Sequence, residues 1–262
     1  MSRGAAEPVD EPRTAWVSGA SSGFGAAIAR GLGALGWSVA LGARRLDKLE
    51  QVAREVVEAG GKAFAHSLDV RDPNSTSDFS SAAEQALGPV DVLVNNAGIG
   101  IPGLLQDLSV EDLRDEIDTN LLGPMLLVRE VLPGMLERKL GDLVFVTSLN
   151  AVLPRPYQAG YSATKAGVEA LARTLQMELE GSGVRATIVR PGPARTEMGS
   201  GWDAAQIKRM LKAWKHWGVL RHHGYLHPES IASAVVSTVL APRGTHLDVI
   251  QVNPEAPVET GD

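Results

Sequence analysis

The chain has 262 residues, 44% hydrophobic and 21% charged, the make-up of an ordinary globular protein rather than a disordered one. It contains no cysteine, which excludes a disulfide scaffold, thiol catalysis and thiolate metal sites; it fits a reducing compartment, and a cytoplasmic location is expected. A net charge of −6 argues against nucleic acid as a partner, and no run reaches the roughly 18 apolar residues of a membrane span, so no integral membrane contact is expected.

In chain order, residues 1–13 carry Arg3, Glu7, Asp10, Glu11 and Arg13 with Pro8 and Pro12. They have no apolar centre, so they read as a flexible N-terminal arm and not as a signal peptide. Candidate strands follow at Ala15–Ser18, Ser38–Gly42, Ala63–Ser67, Val90–Asn95, Asp142–Ser148, Val184–Val189 and Leu247–Val252. Most are nearly continuous Val, Ile, Leu and Ala, the pattern of parallel strands covered on both faces. Between them the spacing predicts helices over Ala26–Leu35, Leu46–Ala59, Asp72–Leu87, Asn120–Leu136 and Ala166–Leu179. Asp72 can cap its helix, with Pro73 in the first turn. Regular strand–helix alternation predicts one α/β domain over 14–254 with a mostly parallel sheet, followed by a tail at 255–262. In such sheets ligands bind beyond the carboxyl ends of the strands.

The first strand runs into Ser18-Gly19-Ala20-Ser21-Ser22-Gly23-Phe24-Gly25, and a helix follows. Glycines at this spacing let the backbone turn sharply and approach a pyrophosphate, and the helix N-terminus offers free N–H groups to it. A glycine cluster alone also fits a plain tight turn; a strand before it and a helix after it are the context a phosphate cradle needs. After the second strand, Ala43 stands where an acid would hold the ribose hydroxyls of NAD, and Arg44 and Arg45 follow. Two guanidinium forks suit a 2′-phosphate, so NADP(H) is expected over NAD(H). The plainer reading pairs these arginines with Asp47 or Glu50 on a solvated helix start.

Tyr161 and Lys165 are four residues apart and share one helical face. An ammonium beside a phenol favours the phenolate, which would lower the tyrosine pKa from about 10.

In these motifs the chain resembles the short-chain dehydrogenase/reductase family, from about Thr14 to Val252. Ser18 replaces the threonine of the family's Thr-Gly-x3-Gly-x-Gly pattern, and Phe24 stands where Ile is usual. Asn95-Asn96-Ala97-Gly98 is similar to the signature that ends the fourth strand, with Asn95 expected either beside the cofactor or as a brace. Tyr161-Ser162-Ala163-Thr164-Lys165 resembles Tyr-x-Ala-Ser-Lys. The resemblance implies a Rossmann-like, doubly wound three-layer sandwich with a seven-stranded sheet. It implies catalysis by Ser148, Tyr161, Lys165 and Asn120. It also implies cofactor contacts from Ser18, Gly19, Ser21, Ser22, Gly23, Phe24, Gly25, Asp69, Val70, Asn96, Ala97, Gly98, Pro191, Gly192, Ala194 and Thr196, besides Tyr161 and Lys165. The expected reaction is hydride transfer between the nicotinamide and a ketone or secondary alcohol, with Tyr161 as acid or base. A dinucleotide sensor that keeps the fold without the chemistry is the alternative.

Substrate contacts are expected from Asn150, Leu153, Pro154, Tyr157 and Gln158, and from a lid over 197–227. In Ala204–Trp217 the residues Ile207, Met210, Leu211, Trp214 and Trp217 fall on one helical face, with Lys208, Lys212, Lys215 and His216 on the other. Between Gly201 and His227 there are five Lys or Arg and one Asp. The face can close over an apolar substrate, pack permanently on the core, or meet a membrane surface or anionic substrate tail. His222, His223 and His227 have no metal-site spacing, and no metal is expected. The helix over Asn120–Leu136 is apolar nearly all round, which predicts burial on two sides; with the resemblance it implies a homo-oligomer, most simply a tetramer.

Overall fold

The structure, a computed structural model, describes residues 12–199, 201–220 and 222–257. Seven strands form one sheet: β1 (Thr14–Ser18), β2 (Ser38–Ala43), β3 (Lys62–Ser67), β4 (Val92–Asn95), β5 (Gly141–Val146), β6 (Val184–Pro191) and β7 (Val249–Val252). All pair in parallel, in the order β3-β2-β1-β4-β5-β6-β7. The apolar strand sequences follow from this, because helices cover both faces.

One face is covered by α1 (Gly23–Gly33), α2 (Leu46–Glu58) and α8 (Pro228–Val239), with Ile28, Leu32, Val52, Val56, Ile231 and Val235 in a shared core. The other is covered by α3 (Pro73–Leu87), α5 (Gly123–Arg138) and α6 (Ala159–Glu178), whose core includes Phe79, Leu127, Val131, Met135, Val168 and Leu175. The result is the expected Rossmann-like three-layer sandwich. Two further helices, α4 (Val110–Ile117) and α7 (Ala204–His216), stand beyond the strand ends. The sheet order reverses between β1 and β4, which opens a crevice at their carboxyl ends.

Several boundaries differ from those expected. Asp72 does cap α3, accepting from the Asn74 amide at 2.9 Å. Helix α6 starts at Ala159 rather than at 166, which puts Tyr161 in its first turn. Strand β5 stops at Val146, so Ser148 lies in the turn beyond it. Arg13, expected in the flexible arm, is buried; its guanidinium donates to Asp142 at 2.5 Å and to the carbonyls of Asp91 and Val239. The remainder of the expected arm, residues 1–11, and residues 258–262 of the tail lie outside the described residues. Among the described residues no helix is long and apolar enough to cross a membrane.

Candidate active site

A cavity of about 740 Å³ lies across the carboxyl ends of the strands. At one end it is walled by the loop after β1. Gly19 has φ of 67°, and a Cβ there would lie 2.8 Å from the Ala97 Cα, so only glycine lets this turn sit against the end of β4. Asn96 fixes the same contact, its Nδ2 donating to the carbonyls of Ser18 at 2.9 Å and Gly19 at 3.2 Å. Gly19, Ser21, Ser22, Gly23 and Phe24 line the cavity, the last two being the first residues of α1.

Two of the cofactor contacts expected in the glycine motif do not line it. The Ser18 side chain is buried, accepting from the amides of Asn96 at 3.0 Å and Ala97 at 3.1 Å. It therefore braces the loop from behind. Gly25 is a packing position, because a Cβ there would lie 2.3 Å from the Gly19 carbonyl oxygen. Asn95 is likewise buried away from the cavity, and its amide has no partner among the described residues; Asn96 is the member of the pair that faces the cavity.

Asp69, Val70, Asn96, Ala97, Gly98, Pro191, Gly192, Ala194 and Thr196 all line the cavity, as do Arg44 and Arg45. The Asp69 carboxylate is bound by Arg71, which donates to both of its oxygens and holds its pKa below the usual value. Arg45 does not pair with Asp47 or Glu50. It donates to Ser21 and Ser22, each at 2.9 Å, and to Glu197 at 2.9 Å; Lys48 also donates to Glu197, at 2.8 Å. These cations hold the Glu197 carboxyl down at about 2. Arg71, Lys48 and Glu197 had no local sequence signal.

At the other end Ser148 and Tyr161 face the cavity together. Burial pushes the Tyr161 phenol above its ordinary value, outweighing the Ser148 hydroxyl, which favours the phenolate. This reverses the expected direction: the cost of a buried phenolate is the largest effect here. Lys165 Nζ donates to the Val146 carbonyl at 3.1 Å, and burial lowers its pKa to about 8. Asn120 lies in a π-helical turn, Asp118–Leu122, and its side chain bonds both the amide and the carbonyl of Ile99 at 2.8 Å. Lys165 and Asn120 are buried behind Gly98: a Cβ there would meet Asn120 Oδ1 at 3.2 Å and Lys165 Nζ at 3.3 Å.

Of the expected substrate residues, Asn150 and Gln158 line the cavity and bond each other at 2.8 Å. Leu153 and Pro154 are exposed, and Tyr157 is half-buried outside the cavity. Tyr157 has φ of 68°, in the left-handed region, and it is Arg155 of this loop that lines the cavity. Ile207, Met210, Leu211 and Trp214 of α7 do wall the cavity, with Trp202 before them. Trp217 does not; it is 69% exposed, at the margin of the apolar stripe and just past the end of α7. The segment is docked by indole N–H bonds from Trp202 to Gly100 at 3.1 Å and from Trp214 to Pro156 at 2.8 Å, and by Gln206 on the Pro102 carbonyl.

Comparison with known proteins gives a consistent result. The sequence profile of the short chain dehydrogenase family matches residues 13–207. A short chain dehydrogenase of Pseudocercospora fijiensis is 40% identical over 195 residues, 73% of this chain; the match spans 63% of that relative, just under two thirds of its length. An alcohol dehydrogenase from the archaeon Thermococcus sibiricus, solved with 5-hydroxy-NADP, superposes with a TM-score of 0.79 at 34% identity, covering 92% of this chain and 96% of that one. A variant of the actinorhodin polyketide ketoreductase, solved with NADPH, gives 0.81 at 30% identity, covering 95% and 98%.

Proposed function

Because this chain belongs to the short-chain dehydrogenase family, we propose that it is an NADP(H)-dependent oxidoreductase interconverting a ketone and a secondary alcohol, with an apolar substrate. The observation that carries the reading is the pair of hydroxyls, Ser148 and Tyr161, facing one cavity with the Lys165 ammonium behind them.

The residues present fit a dinucleotide. The Gly19 turn leaves backbone where a Cβ would intrude, and the first turn of α1 offers amides to a pyrophosphate. Ala43 provides no acid for ribose hydroxyls, whereas Ser21, Ser22, Arg44, Arg45 and Lys48 supply donors of the kind a 2′-phosphate needs. The Glu197 carboxylate already exploits this as an anion site. Similar proteins solved with NADP-type cofactors support the same choice. Bound there, the nicotinamide supplies the hydride for reduction or accepts it in oxidation.

The rest is done by the chain. Burial keeps the Tyr161 phenol protonated at neutral pH, so it is a proton donor for a carbonyl oxygen. The Ser148 hydroxyl donates to the same oxygen as negative charge develops there. Lys165 holds positive charge behind the phenol and favours the phenolate left after donation. Asn120 fixes the Ile99 backbone that closes this corner.

We also propose a homotetramer, since Leu122, Met125 and Leu136 leave apolar surface on and beside α5, and a cytoplasmic location, which a cysteine-free sequence fits. The activity is tested by a panel of ketones and secondary alcohols, followed by absorbance of the reduced nicotinamide with both dinucleotides. No turnover of any member with either cofactor would overturn it.

A further inference from the structure

Among the described residues Arg155 is the one cavity-lining cation at the Tyr161 end, and it is only 8% exposed. Its guanidinium has no hydrogen bond or ion pair to any described residue, and its Nε is buried without a partner. The other charged groups that line the cavity besides Arg44 are satisfied at the opposite end. Glu197 pairs with Arg45 and Lys48, and Asp69 with Arg71. Lys165 is held by the Val146 carbonyl. No carboxylate of the described chain therefore answers Arg155.

Burying an unpaired charge is costly, and such groups are ordinarily paired. Burial lowers the Arg155 pKa from its ordinary value, yet a guanidinium remains charged at any physiological pH. One face of it is covered: its central carbon stands 4.8 Å from the centre of the Trp214 ring. Stacking of this kind compensates the charge in part but offers no acceptor to the N–H groups. It also fixes the plane of the guanidinium, leaving a fork of donors whose geometry matches a carboxylate bidentately. The walls around it are apolar, formed by Met198, Trp202, Ile207, Met210 and Leu211.

Building on the oxidoreductase reading, we propose that Arg155 is a substrate-carboxylate site, so that the substrate is an apolar oxo acid or the corresponding hydroxy acid. The carboxylate is a handle and is unchanged by the reaction. In reduction, hydride from NADPH reaches the carbonyl carbon and a proton from Tyr161 reaches its oxygen, giving a secondary alcohol and NADP⁺. The chain does not need to supply a counter-charge for Arg155, because the substrate brings one.

The test is calorimetric and does not depend on turnover. 4-Phenylbutyrate, which has no reducible carbonyl, and its methyl ester are titrated into the parent protein, Arg155→Met and Arg155→Lys, each with and without NADP⁺. The parent should bind the acid about 10- to 100-fold more tightly than the ester, the range of a charge-assisted hydrogen-bonded pair. Arg155→Met should lose that preference while keeping its affinity for the ester, and Arg155→Lys should fall between. Equal binding of acid and ester by the parent, binding of neither, or equal weakening of both in Arg155→Met would overturn the proposal. Should Arg155→Met not fold, the acid-to-ester ratio in the parent and in Arg155→Lys decides it. If the acid is preferred but no ketone, ester or oxo acid is reduced, the oxidoreductase reading fails and the anion site stands. If neutral ketones are reduced and the acid is not preferred, the reverse holds.

Discussion

The ammonium of Lys165 lies 5.8 Å from the centre of the Tyr161 ring, with both side chains buried. At that separation the pair shares one pocket of low dielectric, and each resists taking on its charged form. Tyr161 is held protonated and Lys165 is eased toward neutrality.

Tyr161→Phe removes the proton while keeping the ring that fills the wall. Turnover in reduction should fall by roughly 10²- to 10⁴-fold, the range of general acid catalysis. Cofactor affinity should be nearly unchanged. Steady-state kinetics beside calorimetric titration of NADPH check both halves, and near-parent turnover would exclude Tyr161 as the donor.

Lys165 links stability to pH. An unfolded lysine keeps its proton to about pH 10.4, whereas Lys165 in the folded protein releases it near 8. Between those values the unfolded chain binds more protons, so rising pH stabilises the fold. Lys165→Met removes this contribution. Urea denaturation should therefore show the parent gaining up to about 3 kcal/mol relative to the variant as pH rises across that window. A difference that stays flat would contradict the lowered pKa.

NADPH should bind more tightly than NADH, and replacing Arg44 and Arg45 together by alanine should weaken NADPH far more than NADH. Glu197→Gln should tighten NADPH, since a carboxylate that stays ionised down to about pH 2 competes with the phosphate for Arg45 and Lys48. Calorimetry with the two dinucleotides reads each effect. Equal affinities in the parent would remove the case for the arginines.

Leu122 and Met125, 37% and 40% exposed, lie at the start of α5. Burial of this apolar surface between copies predicts a tetramer at micromolar concentration, and Met125→Glu should dissociate it. Light scattering of the two proteins checks this; a monomeric parent would refute it.

The strands were legible because helices on both faces demand continuous apolar runs, and the four-residue step from Tyr161 to Lys165 marks a shared helical face. The start of α6 was less legible, because Gln158 makes no side-chain cap and Gly160 is a poor helix former. Contacts over long chain distances left no signal at all. Arg45 meets Glu197 across 152 residues, and neither residue's neighbours announce the other. That Leu153 points outward and Arg155 inward is not legible either, since a loop with the positive φ of Tyr157 has no periodicity to read. The spacing of Tyr161 and Lys165 announces the pair, but the direction of the phenol's shift depends on burial, which is a property of the whole fold.

Thr196–Gly199 and Trp202 border both ends of the cavity. Glu197 is tied to Arg45 and Lys48 at one end, and five residues later Trp202 is tied to Gly100 at the other. A ligand that frees Glu197 therefore alters the tether on which α7 is hung. By thermodynamic reciprocity, cofactor and substrate must then change each other's affinity by the same factor. Hydrogen exchange over 201–227 should respond to NADP⁺ alone, before any substrate is added.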